Sequence, residues 1–210
     1  GTITLPGPGV VMTLKILALL TLLSVEDPTI AKRQKRVSQV EEIHSYIEEQ
    51  ASRAELVSYQ SDWALMASIG YFESRYHPAL EGDCRLIGPP PATKRCASVG
   101  PFQITKAAPK WMHIIKKEWA GVTVDDLRNP RINAKASYDI LVYHKRRCGG
   151  SPAVWLTAYT TGRCPKGDRP NFEGIRRCAV ASALLKRAFG SDELICGHEG
   201  KRLRRRTRRY

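Results

Sequence analysis

Two hundred and ten residues, 42% of them hydrophobic and 26% charged, give room for one full hydrophobic core but not two. The hydrophobic share excludes general disorder. A formal net charge of +14 makes an acidic polymer or surface a natural partner, without choosing among nucleic acid, anionic lipid and anionic cell-wall polymer.

Met12 to Val25 is the one strongly apolar stretch. Its apolar run has the length of a signal-peptide core and falls short of the roughly twenty residues of a membrane span. Two readings stay open: a secretory signal, against which no small-x-small cleavage site follows, and a buried N-terminal helix. With the basic run Lys32-Arg33-Gln34-Lys35-Arg36 it forms a segment over 1–36, ahead of a domain over 37–196 and a tail over 197–210. Val37, Val40, Ile43, Ile47, Ala51 and Ala54 recur at helical steps, and Glu41, Glu42, Glu48 and Glu49 form the solvated outer face. Ser61 or Asp62 can cap a second helix through Trp63, Leu65, Met66, Ile69 and Phe72, which must stop near His77-Pro78. Between Leu80 and Val99 there is room only for an irregular lobe or a small β-hairpin. A third helix is expected after Thr105, with Ala108, Trp111, Ile115 and Trp119 inward and Gly121 as its end. Asn129-Pro130 and Ser151-Pro152 start a fourth and a fifth, the latter ending at Gly162. A last helix runs from about Phe172 to Phe189, with Gly190 as its stop. The chain is therefore mainly α.

The six cysteines, at 84, 96, 148, 164, 178 and 196, fit disulfides in an oxidising compartment, the alternative being reduced thiols in the cytoplasm. Cys84 with Cys96 makes a plausible local bridge; Cys148 with Cys164, or Cys164 with Cys178, would tie the next loop to its helices. No C-x-x-C occurs, and no ligand cluster has metal-binding spacing, so neither metal nor cofactor is implied. Seven of the last ten residues are basic (Lys201, Arg202, Arg204, Arg205, Arg206, Arg208 and Arg209), and without them the rest still carries +7.

Glu73 is the acid that stands out. It shares a helical stripe with Met66 and Ile69, so a carboxylate sits on the face turned to the core. Burial penalises its charged form, and an acid still protonated near neutrality can protonate a leaving glycosidic oxygen. The plainer alternative is a salt bridge to Arg75 or to a lysine elsewhere.

Four segments follow in order: Glu73-Ser74, Gly100-Pro101-Phe102-Gln103-Ile104, Asn129-Pro130-Arg131-Ile132-Asn133, and Ala158-Tyr159-Thr160-Thr161-Gly162. The series resembles the soluble lytic transglycosylase domain of the lysozyme superfamily, over a motif core of about 62–189. The resemblance implies a lysozyme-like helical domain whose catalytic acid is Glu73. Ser74 is then the small polar residue that positions substrate. Gly100, Phe102, Gln103 and Ile104 match the cleft floor, with Gln103 the best hydrogen-bonding group and Phe102 and Ile104 closer to packing. Tyr159 matches an aromatic beside the acid. Thr160 stands where the family usually has asparagine, and the loop 82–97 matches no part of the family pattern.

The implied reaction is cleavage between N-acetylmuramic acid and N-acetylglucosamine in peptidoglycan, with one glutamate as acid and then as base and a 1,6-anhydro ring as product. Glu81 and Asp83 are the candidates for a second carboxylate, both expected as turn acids; an Asp83 across the cleft would favour ordinary hydrolysis instead. The implied location is periplasmic, extracellular or within a phage virion, with phage or secretion-complex proteins as further partners. The competing classes are a nucleic-acid-binding module using Lys201–Arg209 as an arm, and a non-catalytic lysozyme-like structural protein.

Overall fold

At the centre lies α3 (Tyr59–Ser74), buried on almost every side from Ser61 to Tyr71. A helix apolar all round belongs inside a domain, and this one is flanked by α2 (Gln34–Ala51) and α7 (Phe172–Phe189). The computed structural model describes residues 2–4, 11–26, 34–88, 93–191 and 196. The basic tail, 197–210, and with it the proposed arm Lys201–Arg209, lies outside the described residues.

The start of α3 differs from the expectation. Ser58, not Ser61 or Asp62, is the cap: its side chain accepts from the Ser61 amide. Asp62 instead braces neighbouring segments, accepting from Leu56 N (3.0 Å), Val57 N (2.8 Å) and the Tyr138 hydroxyl (2.5 Å). The helix also stops earlier than His77-Pro78. Arg75 and Tyr76 turn left-handed (φ 55° and 59°), and the Tyr76 hydroxyl folds back to donate to Ala67 O at 2.9 Å.

The apolar stretch forms α1 (Leu14–Glu26), with Leu19 and Leu23 in the core against α2 and α7. Ahead of it, β1 (Thr2–Thr4) pairs antiparallel with β2 (Val11–Thr13). No helix among the described residues is long and apolar enough to cross a membrane. On α2, Val40, Ile43, Ile47 and Ala51 are fully buried as the stripe requires, while Ala54 lies past the helix at φ 50°. Glu48 departs from the expected solvated face. It pairs with Lys15 of α1 at 2.7 Å and accepts from the Tyr59 hydroxyl, so it clamps three helices together.

The lobe holds a three-stranded antiparallel sheet, β3 (Glu81–Gly82), β6 (Ser98–Val99) and β7 (Ile104–Thr105), and a hairpin of β4 (Arg85–Ile87) with β5 (Thr93–Arg95). It therefore reaches Thr105, past the expected limit at Val99. Beneath it a second small core gathers Val99, Ile104, Met112, Leu127 and Ile140. The single helix expected after Thr105 is broken into 3-10 turns around α4 (Met112–Ile115). The buried Asp139 carboxylate anchors the broken segment, accepting from both Trp119 Nε1 (2.9 Å) and Lys116 Nζ (2.8 Å). α5 (Pro130–Cys148) and α6 (Pro152–Thr161) begin and end as their prolines and glycines announce. The disulfides are Cys84–Cys96, Cys148–Cys164 and Cys178–Cys196. The last replaces the alternative that joined Cys164 to Cys178.

Candidate active site

Met66 and Ile69 are fully buried, and Glu73 follows on the same face of α3 where the helix leaves the core. There it meets a cleft of about 420 Å³ lined from the β lobe, α5, α6 and α7. The Glu73 side chain is 19% exposed. Burial, the largest influence, pushes its carboxyl above the usual range. Arg177 opposes this through its charge and a hydrogen bond, while Asp83 and Glu173 add to the rise. The acid thus combines access to the cleft with a bias toward its protonated form.

Its ion-pair partner was not expected. Arg177 Nη1 donates to Glu73 Oε1 at 2.7 Å, across from α7. Arg75, the partner proposed from sequence, turns back to donate to Tyr71 O at 2.6 Å. Arg177 is itself 7% exposed, and its Nε has no hydrogen-bond partner among the described residues. Its burial is seen only in the folded chain, where Arg177 shares one buried stripe of α7 with Gly174, Ala181, Leu184 and Ala188.

Tyr159 and Gln103 both line the cleft. The Tyr159 hydroxyl donates to Phe102 O at 2.9 Å and lies 3.0 Å from Ser137 Oγ. Burial first, and then the charge of Glu73, push its acidity well down, so it stays a neutral phenol. Gln103, at φ 50°, spends its amide on the protein: Nε2 donates to Leu80 O (3.0 Å) and Gly100 O (2.7 Å), and Oε1 accepts from Ser98 Oγ (2.6 Å). It braces the floor of the cleft more than it offers donors to it. A Cβ on Gly82 would come within 1.8 Å of Gln103 Oε1, which is why that position has none. Thr160 lines the cleft with its hydroxyl turned to Thr157 O at 2.9 Å.

Three expected substrate contacts are placed elsewhere. Ser74 is buried and closes the end of α3, its hydroxyl accepting from His77 N at 3.0 Å. Phe102 is fully buried, its amide held by Asn133 Oδ1 at 2.9 Å. Gly100 (φ 79°) lies against the same asparagine, whose Nδ2 would stand 2.4 Å from a Cβ there. Asn133 is the residue that fixes the floor, since its Nδ2 also donates to Val99 O (2.9 Å) and Leu127 O (2.8 Å). Its place in the Asn-Pro segment was legible, its role was not.

Of the two turn acids, Glu81 is held by Arg128 at 3.0 Å and Lys106 at 3.4 Å. Asp83 differs from its expectation: it lines the Glu73 cleft, in a left-handed turn at φ 53°. Ser98 Oγ lies 3.2 Å from its Oδ2, but the hydroxyl's single proton is closer to Gln103, so the carboxylate keeps accepting capacity for the cleft. His144 was also missed. It lines the cleft from α5, almost wholly buried, and burial, then Arg147, lower its pKa to about 4, which keeps the imidazole neutral. No group of acidic, histidine and cysteine side chains among the described residues is arranged to hold a metal ion.

A family model, the transglycosylase SLT domain, matches residues 50–171. The chain belongs to that family. No curated protein and no solved structure matches it. SLT domains are lytic transglycosylases of peptidoglycan and act outside the cytoplasm, a setting with which three disulfides agree. The match takes in Glu73, Asp83, Gln103 and Tyr159 but ends before Arg177. In this SLT domain the counter-charge of the acid comes from outside the segment by which the family is recognised.

Proposed function

We propose that the protein cleaves the β-1,4 bond between N-acetylmuramic acid and N-acetylglucosamine, with Glu73 as acid and then as base. The observation that carries this is a carboxyl of raised pKa at the mouth of a cleft in an SLT-family domain. Protonated Glu73 gives its proton to the glycosidic oxygen as the bond to C1 breaks. The sugar's own N-acetyl oxygen shares the positive charge that develops at C1. Glu73, now anionic, takes the proton of the C6 hydroxyl while that oxygen closes on C1, and the acid is regenerated. The internal hydroxyl replaces water as nucleophile, with the advantage of proximity. Arg177 favours the carboxylate in the middle of the cycle, and neutral Tyr159 adds no opposing charge.

Asp83 supports a second reading. A carboxylate in the same cleft can hold a water against C1, and the reaction then becomes hydrolysis at the same bond. Digestion of purified peptidoglycan separates the two by mass: anhydro-muropeptides for the first, reducing ends for the second. Glu73→Gln should lower turnover by about 10²–10⁴-fold with an unchanged circular dichroism spectrum. Full activity in that variant rejects both.

A further inference from the structure

Five large apolar side chains stand exposed among the described residues, and two of them, Leu86 (74%) and Ile87 (48%), are neighbours on β4. Apolar side chains exposed singly need no explanation, whereas contiguous ones point to an interaction surface. β4 pairs only with β5, and Arg85, Leu86, Ile87 and Arg95 are all exposed, so neither face of the hairpin is covered. Side chains alternate between the faces, which puts Leu86 on one and Arg85 with Ile87 on the other. A two-stranded hairpin by itself is marginally stable in water, and this one is closed at its base by the Cys84–Cys96 disulfide. Its register sets Arg85 directly opposite Arg95, where like charges repel. Neither arginine pairs with a carboxylate among the described residues.

The partner that fits such a hairpin presents closely spaced anions in front of hydrocarbon. A guanidinium grips a phosphate through two parallel hydrogen bonds, and anions held side by side relieve the Arg85–Arg95 repulsion. A soluble anionic polymer would supply phosphates but nothing for Leu86. An anionic bilayer supplies both, with its acyl region directly beneath the headgroups. The order along the strand agrees. Arg85 and Arg95 lie next to the disulfide, and Leu86 and Ile87 lie farther out, as a hairpin entering tip first would meet headgroups above acyl chains. The sequence joining the strands, Gly88-Pro89-Pro90-Pro91-Ala92, has no charge, and its prolines bring no N–H groups to desolvate. SLT domains act outside the cytoplasm, beside a membrane, and a net charge of +14 draws the chain toward an anionic one.

We propose that the β4–β5 hairpin seats the protein on an anionic phospholipid bilayer, with Arg85 and Arg95 among the headgroup phosphates and Leu86 and Ile87 in the acyl boundary. Only Cys84 separates Arg85 from Asp83 of the cleft, so the seat also sets how the cleft stands over the membrane.

Vesicles test this with the full chain. Cosedimentation with vesicles of equal parts phosphatidylglycerol and phosphatidylcholine compares the unaltered protein with two charge-matched variants. One is Arg85→Gln/Arg95→Gln. The other, Lys117→Gln/Arg187→Gln, removes two exposed cations near the opposite end of α3, where Lys116 approaches Glu55 and Phe189 packs on Tyr59. Affinity should fall about thirtyfold in the first, the share of two arginines at an anionic surface, and by no more than about threefold in the second. Depth is read by fluorescence. The tryptophan added in Leu86→Trp should be quenched by lipids brominated on their acyl chains, and that in Val57→Trp, an exposed position ahead of α3, should not. Equal losses in the two charge variants overturn the proposal. So does a Leu86→Trp no better quenched than Val57→Trp, which would assign the hairpin to a protein partner. Neither readout involves glycan cleavage, so the catalytic reading stands or falls separately.

Discussion

Glu73 sits between two opposed influences. Low polarity at the end of α3 favours its neutral form, and Arg177, at 2.7 Å, favours the anion. A catalytic acid needs both, since it must hold a proton when substrate arrives and release it within one turnover. The balance can be tested by its sign. On the proposed mechanism activity requires the protonated form, so the rate should fall as pH rises through the Glu73 pKa. Removing the guanidinium removes a force that lowers this pKa, and the alkaline limb of the kcat/KM profile should move to higher pH in Arg177→Gln. In Arg177→Lys it should stay near its original place; a downward move in Arg177→Gln contradicts the assignment. Asn133 carries a prediction of a different kind. Its side chain is fully buried and meets three backbone groups of the loops beneath the cleft. Leaving such groups unpaired costs about 1–3 kcal/mol each, partly recovered by relaxation. Asn133→Ala should therefore destabilise the fold by about 3 kcal/mol in urea unfolding, with activity falling as the floor loosens.

Among the elements, α1 is held to the rest by more than its leucines. Lys15, His44 and Tyr59 converge on Glu48, and although burial pushes that carboxyl up, their hydrogen bonds bring it down from 4.5 to about 2. A carboxylate with a depressed folded pKa stabilises above its unfolded value and loses that contribution as pH falls through the folded one. The melting temperature should thus decline between about pH 5 and pH 2, and Glu48→Gln should flatten part of that decline. An identical slope in the variant would assign the acid sensitivity to other carboxylates. Element by element, the sequence was legible where local chemistry decides. Asn129-Pro130, Gly162 and Gly190 mark helix ends because cap geometry and φ preference need no distant partner. It misled where a distant group decides. The stripe of Ala108, Trp111, Ile115 and Trp119 has helical spacing, yet the segment is broken into short turns whose Lys116 and Trp119 are tied to Asp139 of α5. Glu48 reads as a surface acid until α1 is laid over it.

At the scale of the whole molecule, the candidate site was legible where short ordered segments carry it. Glu73, Gln103 and Tyr159 lie in such segments and line one cleft. Asp83 could be named but not placed, because a left-handed turn in a stapled lobe sets its direction. Arg177 and His144 belong to helices whose arrangement around the cleft depends on packing, with only their buried positions as a clue. The recognised segment, 50–171, stops short of α7, whose Leu184 and Leu185 pack into the same core as α3. A fragment cut at those limits should give a broad, non-cooperative melt and no glycan cleavage, where the full chain melts sharply; a sharp transition in the fragment would show that α7 is dispensable.

The Arg177–Glu73 pair has a consequence for how such enzymes change over time. Position 177 lies outside the segment that the family model matches. On the proposed mechanism a substitution there shifts the pH at which Glu73 holds its proton while every residue of that segment stays the same. Two proteins alike throughout 50–171 can then differ in the acidity at which they work.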